Sequence, residues 1–188
     1  MNDEPDRTEG EGGASDADER VIDANERVNE AESADEKEST FLVTHAEADS
    51  AVLKDVHDGQ VHTLRSNPGL DVDDAVEATI APDPPMEVTY RVLEVTERRR
   101  LAIEESEEPP TVHERELAAE TPTGELAREP RAGVGEVHVL TPPEATTADA
   151  VADVLDDREA TLSRAARLGV NRVEVRSEPG IVSVRYMP

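Results

Sequence analysis

The sequence predicts an α+β protein in which a small β-barrel precedes a β-α-β-β unit. Residues 39–105 contain short β-rich runs separated by Gly, Pro and Asp, a pattern typical of a small barrel. Residues 134–188 place a helix with apolar residues at 3.6-residue spacing among short valine-rich strands. Residues 1–38 consist mostly of acidic, small and polar residues, so we expect a disordered acidic tail there.

The acidity of the chain has two interpretations. Its 188 residues include 45 Asp and Glu against 19 Lys and Arg, a net charge of −26. High net charge with low hydrophobicity is typical of disordered chains, but proteins that fold in concentrated salt share this composition. At about 1 M salt the Debye length is only about 3 Å, so repulsion between surface carboxylates is screened. Because the acidity after residue 40 coincides with clear strand and helix patterns, we expect a folded, halophilic protein.

Composition also restricts the compartment and the chemistry. The absence of Cys excludes disulfides, thiolate catalysis and cysteine metal sites. The acidic N-terminus lacks the apolar stretch of a signal peptide, and no segment approaches the roughly 20 apolar residues of a membrane span. We therefore expect a cytoplasmic protein without a membrane partner.

The barrel segment is expected to consist of short strands joined by tight turns. Asp58-Gly59 predicts a hairpin turn between two β-prone runs. In the longest run the apolar alternation changes parity near Val92-Leu93, which indicates either a β-bulge or a strand buried on both faces. Strands are predicted at residues 40–45, 50–56, 60–64, 75–80, 86–96 and 100–104.

Residues 106–133 are predicted to form a connector with one short helix. The helix is expected to begin at the capping box Thr111-x-x-Glu114 and to continue to about Ala119. Pro and Gly residues interrupt the rest of this segment.

The C-terminal unit has the clearest pattern. One helix is expected to begin at Thr146, with Asp149 in its first turn, and to end before Gly169. A strand at residues 137–140 precedes the helix, and a strand at residues 172–176 follows it, an order that allows a parallel crossover. A last strand, with Val182, Val184 and Tyr186 on one face, completes the β-α-β-β unit.

Most of residues 40–188 resembles a haloarchaeal protein family of unknown function. The resemblance is carried by FLVTHAEADSAVLKDVHDGQVHTL at residues 41–64, APDPPMEVTY at residues 81–90 and RAARLGVNRVEVRSEPGIVSVRYMP at residues 164–188. It implies an extreme halophile as the source and assigns no activity and no functional residue.

A second resemblance concerns residues 50–95. AVLKDVHDGQVHTL, PGLDVDDAVEATI and MEVTYRVLEV are similar in layout to the TRAM and OB-type barrels that bind RNA, in which a Pro-Gly approach precedes a strand. Pro68-Gly69 and Val76–Ile80 match that layout. This resemblance implies a small closed barrel and RNA as a ligand class, although most of the expected basic and aromatic residues are missing.

Histidines and carboxylates supply few candidates for chemistry. His57 and His62 flank the predicted turn, where Asp55 or Asp58 could complete a metal site, but polar turn residues explain this pattern better. Phosphate loops, dinucleotide-binding glycine motifs and nucleophile motifs are absent from the sequence. We therefore predict no catalytic residue, no cofactor and no metal.

Arginines are the basic residues with a pattern. They form a run between two predicted strands and a second group on the C-terminal strands, and the second group is expected to share one sheet face. Two interpretations stay open: a face that contacts phosphate or RNA, with Tyr90 or Tyr186 stacking on bases, or ion pairs with the surplus carboxylates. The candidate contact residues are Arg98, Arg99, Arg100, Arg172, Arg176 and Arg185.

The favoured function is a non-enzymatic binding or adaptor module, with a protein partner favoured over nucleic acid. One alternative is an RNA- or ribonucleoprotein-associated protein that binds through the barrel. The other is an enzyme whose site combines His57, His62 or His138 with carboxylates in a deep pocket.

Overall fold

The computed structural model describes residues 36–86 and 88–188, and Lys37–Pro188 form one compact unit. The predicted acidic tail lies outside the described residues as far as residue 35. Lys37 and Glu38 belong to the first strand, so the barrel begins two residues earlier than the sequence predicts.

Five strands form a closed barrel in the order β1-β2-β3-β5-β4. The strand β4 lies beside β1, and β1, β2 and β3 follow one another antiparallel, which is a Greek-key arrangement. The small barrel predicted from the sequence is therefore confirmed, and it has the strand number and arrangement of OB-type barrels. The strands are β1 (Lys37–Ala46), β2 (Ala51–Asp55), β3 (Val61–Leu64), β4 (Asp74–Pro82) and β5 (Tyr90–Arg100).

The barrel interior is filled mainly by apolar residues that alternate along the strands. Phe41, Leu53, Leu64 and Ile80 are at most 1% exposed. Between β3 and β5 the described residues make a single parallel bridge, from Leu64 to Tyr90. Strand β5 therefore pairs along its length with β4, whereas a single bridge to β3 closes the barrel on its other side.

The longest strand differs from its prediction at its start and confirms the predicted bulge. It begins at Tyr90 rather than at residue 86, and Met86 is 74% exposed on the preceding loop. Along β4 the register passes from a Val92 pair directly to a Glu94 pair, which leaves Leu93 as the extra residue of a bulge. Leu93 is exposed, so burial of this strand on both faces was the wrong alternative.

A second sheet has the strand order β6-β9-β10-β8-β7. Strands β9, β10, β8 and β7 pair antiparallel in succession, whereas the edge strand β6 runs parallel to β9. Three α-helices accompany this sheet: α1 (Val112–Glu120), α2 (Thr147–Asp156) and α3 (Arg158–Arg167). The strands are β6 (Ala102–Glu105), β7 (Leu126–Pro130), β8 (Glu136–Leu140), β9 (Arg172–Glu178) and β10 (Ile181–Met187).

Two strands lie where the sequence pattern did not place them. The strand predicted at residues 100–104 as the last barrel strand is instead β6, which joins the second sheet through β9. The predicted connector contains β7, an antiparallel partner of β8. The strand order also separates β8 from β9 by β10, so the parallel neighbour of β9 is β6 and not the strand before the helix.

The sequence signals placed three helix ends correctly. Thr111 and Glu114 form the predicted capping box, with the Glu114 carboxylate 2.7 Å from the Thr111 amide. Gly169 adopts a φ of +68° after α3, in the left-handed region favoured by glycine. Thr146 occupies the N-cap position of α2, as predicted, but its hydroxyl donates to the carbonyl of Pro143 and makes no cap hydrogen bond. The predicted single helix is divided into α2 and α3 at Asp157.

One apolar cluster joins the outside of the barrel to the second sheet. Leu42 on β1 and Leu101 between the two sheets belong to the same buried cluster as Leu162, Val173 and Val184. Since Phe41 and Val43 point into the barrel, β1 is buried on both faces at this position. The helices α2 and α3 therefore lie on the sheet face that packs towards the barrel.

A histidine lies inside the barrel without hydrogen bonds. His62 is 3% exposed, its ring packs edge-on against Phe41 and Tyr90, and neither ring nitrogen has a hydrogen-bond partner. Burial, followed by the nearby charge of Lys37, lowers the pKa of His62, whereas Asp55 and a neighbouring carboxylate oppose this shift. His62 is therefore a neutral core residue and not the metal ligand considered from its spacing.

We predict that His62→Leu does not lower the free energy of unfolding at pH 7. The variant should also lose less stability than the wild type when the pH falls from 7 to 5. A buried polar group without a partner costs about 1–3 kcal/mol, and leucine has a similar size without that cost. Because the folded-state pKa lies below the unfolded value of about 6.5, wild-type stability falls as the pH drops below that value. Denaturant unfolding from pH 7 to pH 5 measures this difference.

The matched control is His45→Gln, at an exposed position on β1, and it should follow the wild-type pH profile. Part of the acid loss should persist in His62→Leu, because His138 is also buried with a lowered pKa. A His62→Leu protein with an unchanged pH profile would contradict this account of the barrel core.

Candidate functional site

The first predicted arginine group supports the structure of the barrel. Arg98 donates to the carbonyl of Gly69 at 2.7 Å and pairs with the buried carboxylate of Asp74 at 2.7 Å. Arg100, on the same strand, lies 3.5 Å from Asp71. These contacts fix the loop that leads into β4.

Arg99 has a different role from its neighbours. Its guanidinium donates to the carbonyls of Ala166 and Val170, each at 3.2 Å, and so binds the C-terminal end of α3. Its Nε also lies 3.0 Å from Glu97. A cation at this position complements the partial negative charge of a helix C-terminus, and Arg99 thereby ties β5 to α3.

The second predicted group shares one sheet face, as expected, and is centred on a buried carboxylate. Glu174 is 5% exposed and lies on β9 between Arg172 and Arg176, with Arg185 opposite on β10. Its carboxylate is 3.1 Å from Arg172 and 2.8 Å from Arg185, and Arg176 donates to it as well. Three of the predicted contact residues therefore bind one internal carboxylate, here called the Glu174 cluster.

Further carboxylates complete the neutralisation of this cluster. Arg185 also lies 3.2 Å from the buried Glu114 of α1, Arg176 lies 2.6 Å from Glu108, and Arg172 lies 3.4 Å from Glu104. Burial would raise the pKa of Glu174, but hydrogen bonds from Arg176 and Arg185 outweigh it and the pKa is lowered. The cluster consequently has more carboxylates than guanidinium groups and offers no net positive face.

The helix α1 packs on the same sheet face as the Glu174 cluster. Ala118 of α1 joins Val137 and Val139 of β8 in a small buried cluster. The predicted stacking residues are also engaged: Tyr186 is 4% exposed, and the ring of Tyr90 packs on His62 at 4.5 Å. The described geometry thus matches the ion-pair interpretation of the arginines rather than a stacking platform for bases.

His138 belongs to a buried polar cluster on the opposite sheet face. Its Nε2 lies 2.9 Å from Glu136, which also accepts from Arg164 at 3.1 Å, and its ring packs on Tyr186 at 4.9 Å. Burial is the main cause that lowers the pKa of His138, with Arg164 adding to it and the Glu136 hydrogen bond opposing it. Burial likewise raises the pKa of Tyr186. This cluster joins α3 to β8.

Another histidine lies beside a shallow trough on the barrel surface. The trough has a volume of about 370 Å³ and brings His57 near Glu38 and Glu77, with Thr40 and Thr79 between them. The only hydrogen bond to a carboxylate recorded for His57 in the described chain is made by its backbone amide, which donates to Asp55. An oriented acid–base pair of the kind that catalysis uses is therefore not formed by this histidine. Within residues 36–86 and 88–188, no group of three His, Cys, Asp or Glu side chains has the arrangement of a metal site.

A groove of about 660 Å³ lies beside α2 and is here called the α2 groove. Its floor consists of α2 side chains, with Val151 and Leu155 below and the exposed Ala148 and Ala152 along the helix. Its other wall comes from the ends of β6 and β9 and from Pro179. The charged lining residues are all carboxylates: Glu105, Glu144 and Glu178.

Hydrogen bonds hold the walls of the α2 groove in place. The hydroxyl of Thr147 accepts from the amide of Gly180 at 2.9 Å and donates to the carbonyl of Glu144 at 3.0 Å, which ties α2 to the β9–β10 turn. Arg115 of α1 binds the carboxylate of Glu178 with two hydrogen bonds of 2.9 Å. Glu105 and Glu144 have no ion-pair partner among the residues that the structure describes.

Sequence reasoning did not identify the α2 groove. Val151 and Leu155 belong to the apolar face that predicts the helix, but the alanines beside them carry no signal of exposure. The groove also requires Glu105 and Glu178 from strands distant in sequence, and their approach follows from the unpredicted pairing of β6 with β9.

The comparisons with known proteins agree with the extent of the described fold. A family model described as a family of unknown function, DUF5812, matches residues 37–177. No curated protein and no solved structure matches the chain. No α-helix of the described chain is both long enough and apolar enough to cross a bilayer.

We predict that Glu174→Gln destabilises the protein by about 3 kcal/mol, because it leaves three guanidinium groups around a position without charge. The matched control is Glu104→Gln, which removes a more exposed partner of Arg172 and should cost less than about 1 kcal/mol. Denaturant midpoints of the two variants in the same salt measure the difference. Equal losses would mean that the Glu174 cluster is not the buried ion-pair centre described above.

Proposed function

The chain belongs to the DUF5812 family, a family of unknown function, and we propose that it is a non-enzymatic module that binds a protein partner through the α2 groove. The observation that carries the proposal is the groove itself. It has a volume of about 660 Å³, and exposed alanines lie along its floor on a chain whose net charge is −26. Exposed apolar surface of this kind is typical of protein interaction sites.

The engagement of the arginines supports a protein partner over nucleic acid. Arg98 and Arg100 bind carboxylates beside β4, and Arg172, Arg176 and Arg185 surround Glu174. Binding to a phosphate backbone depends on free cations that release counterions, and near-molar salt weakens that contribution further. The six arginines predicted as contact residues are thus already engaged within the protein, which supports a protein partner.

The lining of the α2 groove supports a role in binding rather than catalysis. Its polar side chains are three glutamates, Thr147 and Ser177, and it contains no histidine. The hydroxyl of Thr147 is already engaged with the Gly180 amide and the Glu144 carbonyl. His57 lies in a separate, smaller trough, and His138 is buried between α3 and β8.

A photo-crosslinking residue at Ala148 tests the proposal. In an extract of the host cells at high salt, this exposed groove position should give a discrete protein adduct that survives nuclease treatment. The same crosslinker at Thr63, on the exposed surface of the barrel, is the matched control and should not give that adduct. Ala152→Arg should remove the Ala148 adduct, because a long charged side chain then fills the groove.

Two outcomes would contradict the proposal. One is an adduct from Ala148 that nuclease removes, which would favour the ribonucleoprotein interpretation. The other is the same set of adducts from Ala148 and Thr63, which would mean that the groove has no preferred partner.

We also propose that the protein is adapted to concentrated salt. The net charge of −26 supports this proposal, because repulsion between carboxylates opposes a compact state unless ions screen it. Lowering the salt from about 1 M to about 0.1 M extends the Debye length from about 3 Å to about 10 Å. We predict that this change lowers the denaturation midpoint and loosens the fold, and that restoring the salt reverses both effects.

Circular dichroism and denaturant unfolding at the two salt concentrations measure this prediction. A chain that is equally stable at both concentrations would contradict the proposed adaptation. A coil spectrum at every ionic strength would contradict the folded state itself.

A further inference from the structure

We propose that the partner segment bound in the α2 groove is a cationic amphipathic helix, whose Lys or Arg side chains pair with Glu105 and Glu144 while its apolar side chains contact Ala148 and Ala152. This inference rests on the proposed function and adds the chemistry of the partner. It is carried by the shape of the groove floor and by the charge of its rim.

The shape of the floor fits a helix. The groove follows α2 from Thr147 to Leu155, a distance of about 12 Å at about 1.5 Å per residue, or just over two helical turns. Ala148 and Ala152 lie along one side of this path and are exposed. Small side chains at such spacing leave a shallow track into which the side-chain ridge of a second helix can pack.

The rim of the groove selects the charge of that helix. Acidic residues are frequent on this chain, so the carboxylates alone would identify nothing; their position around an apolar floor is the informative feature. Glu178 is already held by Arg115, which leaves Glu105 and Glu144 for an external cation. Lys and Arg suit this site because their aliphatic stems can lie on apolar surface while their charged ends reach a carboxylate.

A cavity beside α1 has a lining of mixed charge and provides a comparison with the α2 groove. That cavity, of about 350 Å³, is lined by Arg131 and Arg185 as well as by Glu114 and Glu129, so its charges compensate internally. The α2 groove has no cation in its lining. A cationic ligand therefore meets unopposed carboxylates in the α2 groove, whereas an acidic ligand meets repulsion.

Two synthetic amphipathic helices test the inference with the full chain. Both contain Leu and Ala on one face, and their charged face consists of Lys in one peptide and of Glu in the other. At about 1 M salt, where long-range attraction is screened, fluorescence anisotropy should detect binding of the Lys peptide. Binding of the Glu peptide should be at least tenfold weaker, a difference of about 1.4 kcal/mol.

Variants separate recognition in the groove from general attraction to an acidic protein. The double variant Glu105→Gln/Glu144→Gln should weaken binding of the Lys peptide about tenfold, which corresponds to about 1.4 kcal/mol of binding free energy. The double variant Glu47→Gln/Asp49→Asn changes the net charge equally on the β1–β2 loop and should leave binding within about twofold. Ala152→Arg should abolish binding, with unchanged circular dichroism and unfolding midpoint to confirm that the fold is intact.

Each other outcome would overturn the inference. Failure of the Lys peptide to bind, equal binding of the Glu peptide, or equal weakening by the two double variants would show that the groove does not recognise cationic helices. If the Ala148 crosslink to a partner persisted in those cases, the α2 groove would still be a protein-binding site with a different ligand chemistry. Loss of that crosslink as well would remove the proposed function itself.

Discussion

The structure depends on burying sufficient apolar surface with almost no aromatic side chains. The chain has one Phe, two Tyr and no Trp, so its core must be built from many small aliphatic residues. Aromatic residues bury more surface each than aliphatic ones, and their scarcity explains why the barrel and the second sheet share a core. Leu42 lies on the outside of the barrel and joins Leu162 and Val173, while Phe41 beside it fills the barrel interior. This double use of β1 turns two small units into one body with a larger interior.

The arginines follow from the same constraint. A surface with so many carboxylates places several of them at packed interfaces, where an unpaired charge is costly. Glu174 is compensated by three arginines, and Asp74 by Arg98, so the few cations of the chain are used where burial is greatest. Arg suits this role because its planar guanidinium binds several acceptors at once. The result is a framework of internal ion pairs that leaves the outer surface acidic.

Local signals in the sequence predicted local structure correctly. The errors arose where contacts between residues distant in sequence determine the structure. The capping box at Thr111 and the turn at Gly169 depend on neighbours in the chain, and both formed as predicted. The strand at Ala102–Glu105 has a clear pattern, but only its pairing with β9 shows which sheet it joins. The division of the helix at Asp157 is invisible to an apolar periodicity that continues through it. The α2 groove was missed for the same reason, since its walls come from β6, α2 and β9.

Concentrated salt would change which forces can act in such a groove. When the Debye length is about 3 Å, charges separated by more than one contact distance hardly attract each other. Electrostatic steering of a partner is then lost, and only carboxylate–cation pairs in direct contact contribute, while some salts strengthen the burial of apolar surface. In the proposed complex, recognition would therefore come from close packing on α2, with Glu105 and Glu144 selecting the charge at contact distance. In the proposed complex, the acidic rim of the groove would then favour a partner whose cations reach these carboxylates at contact distance.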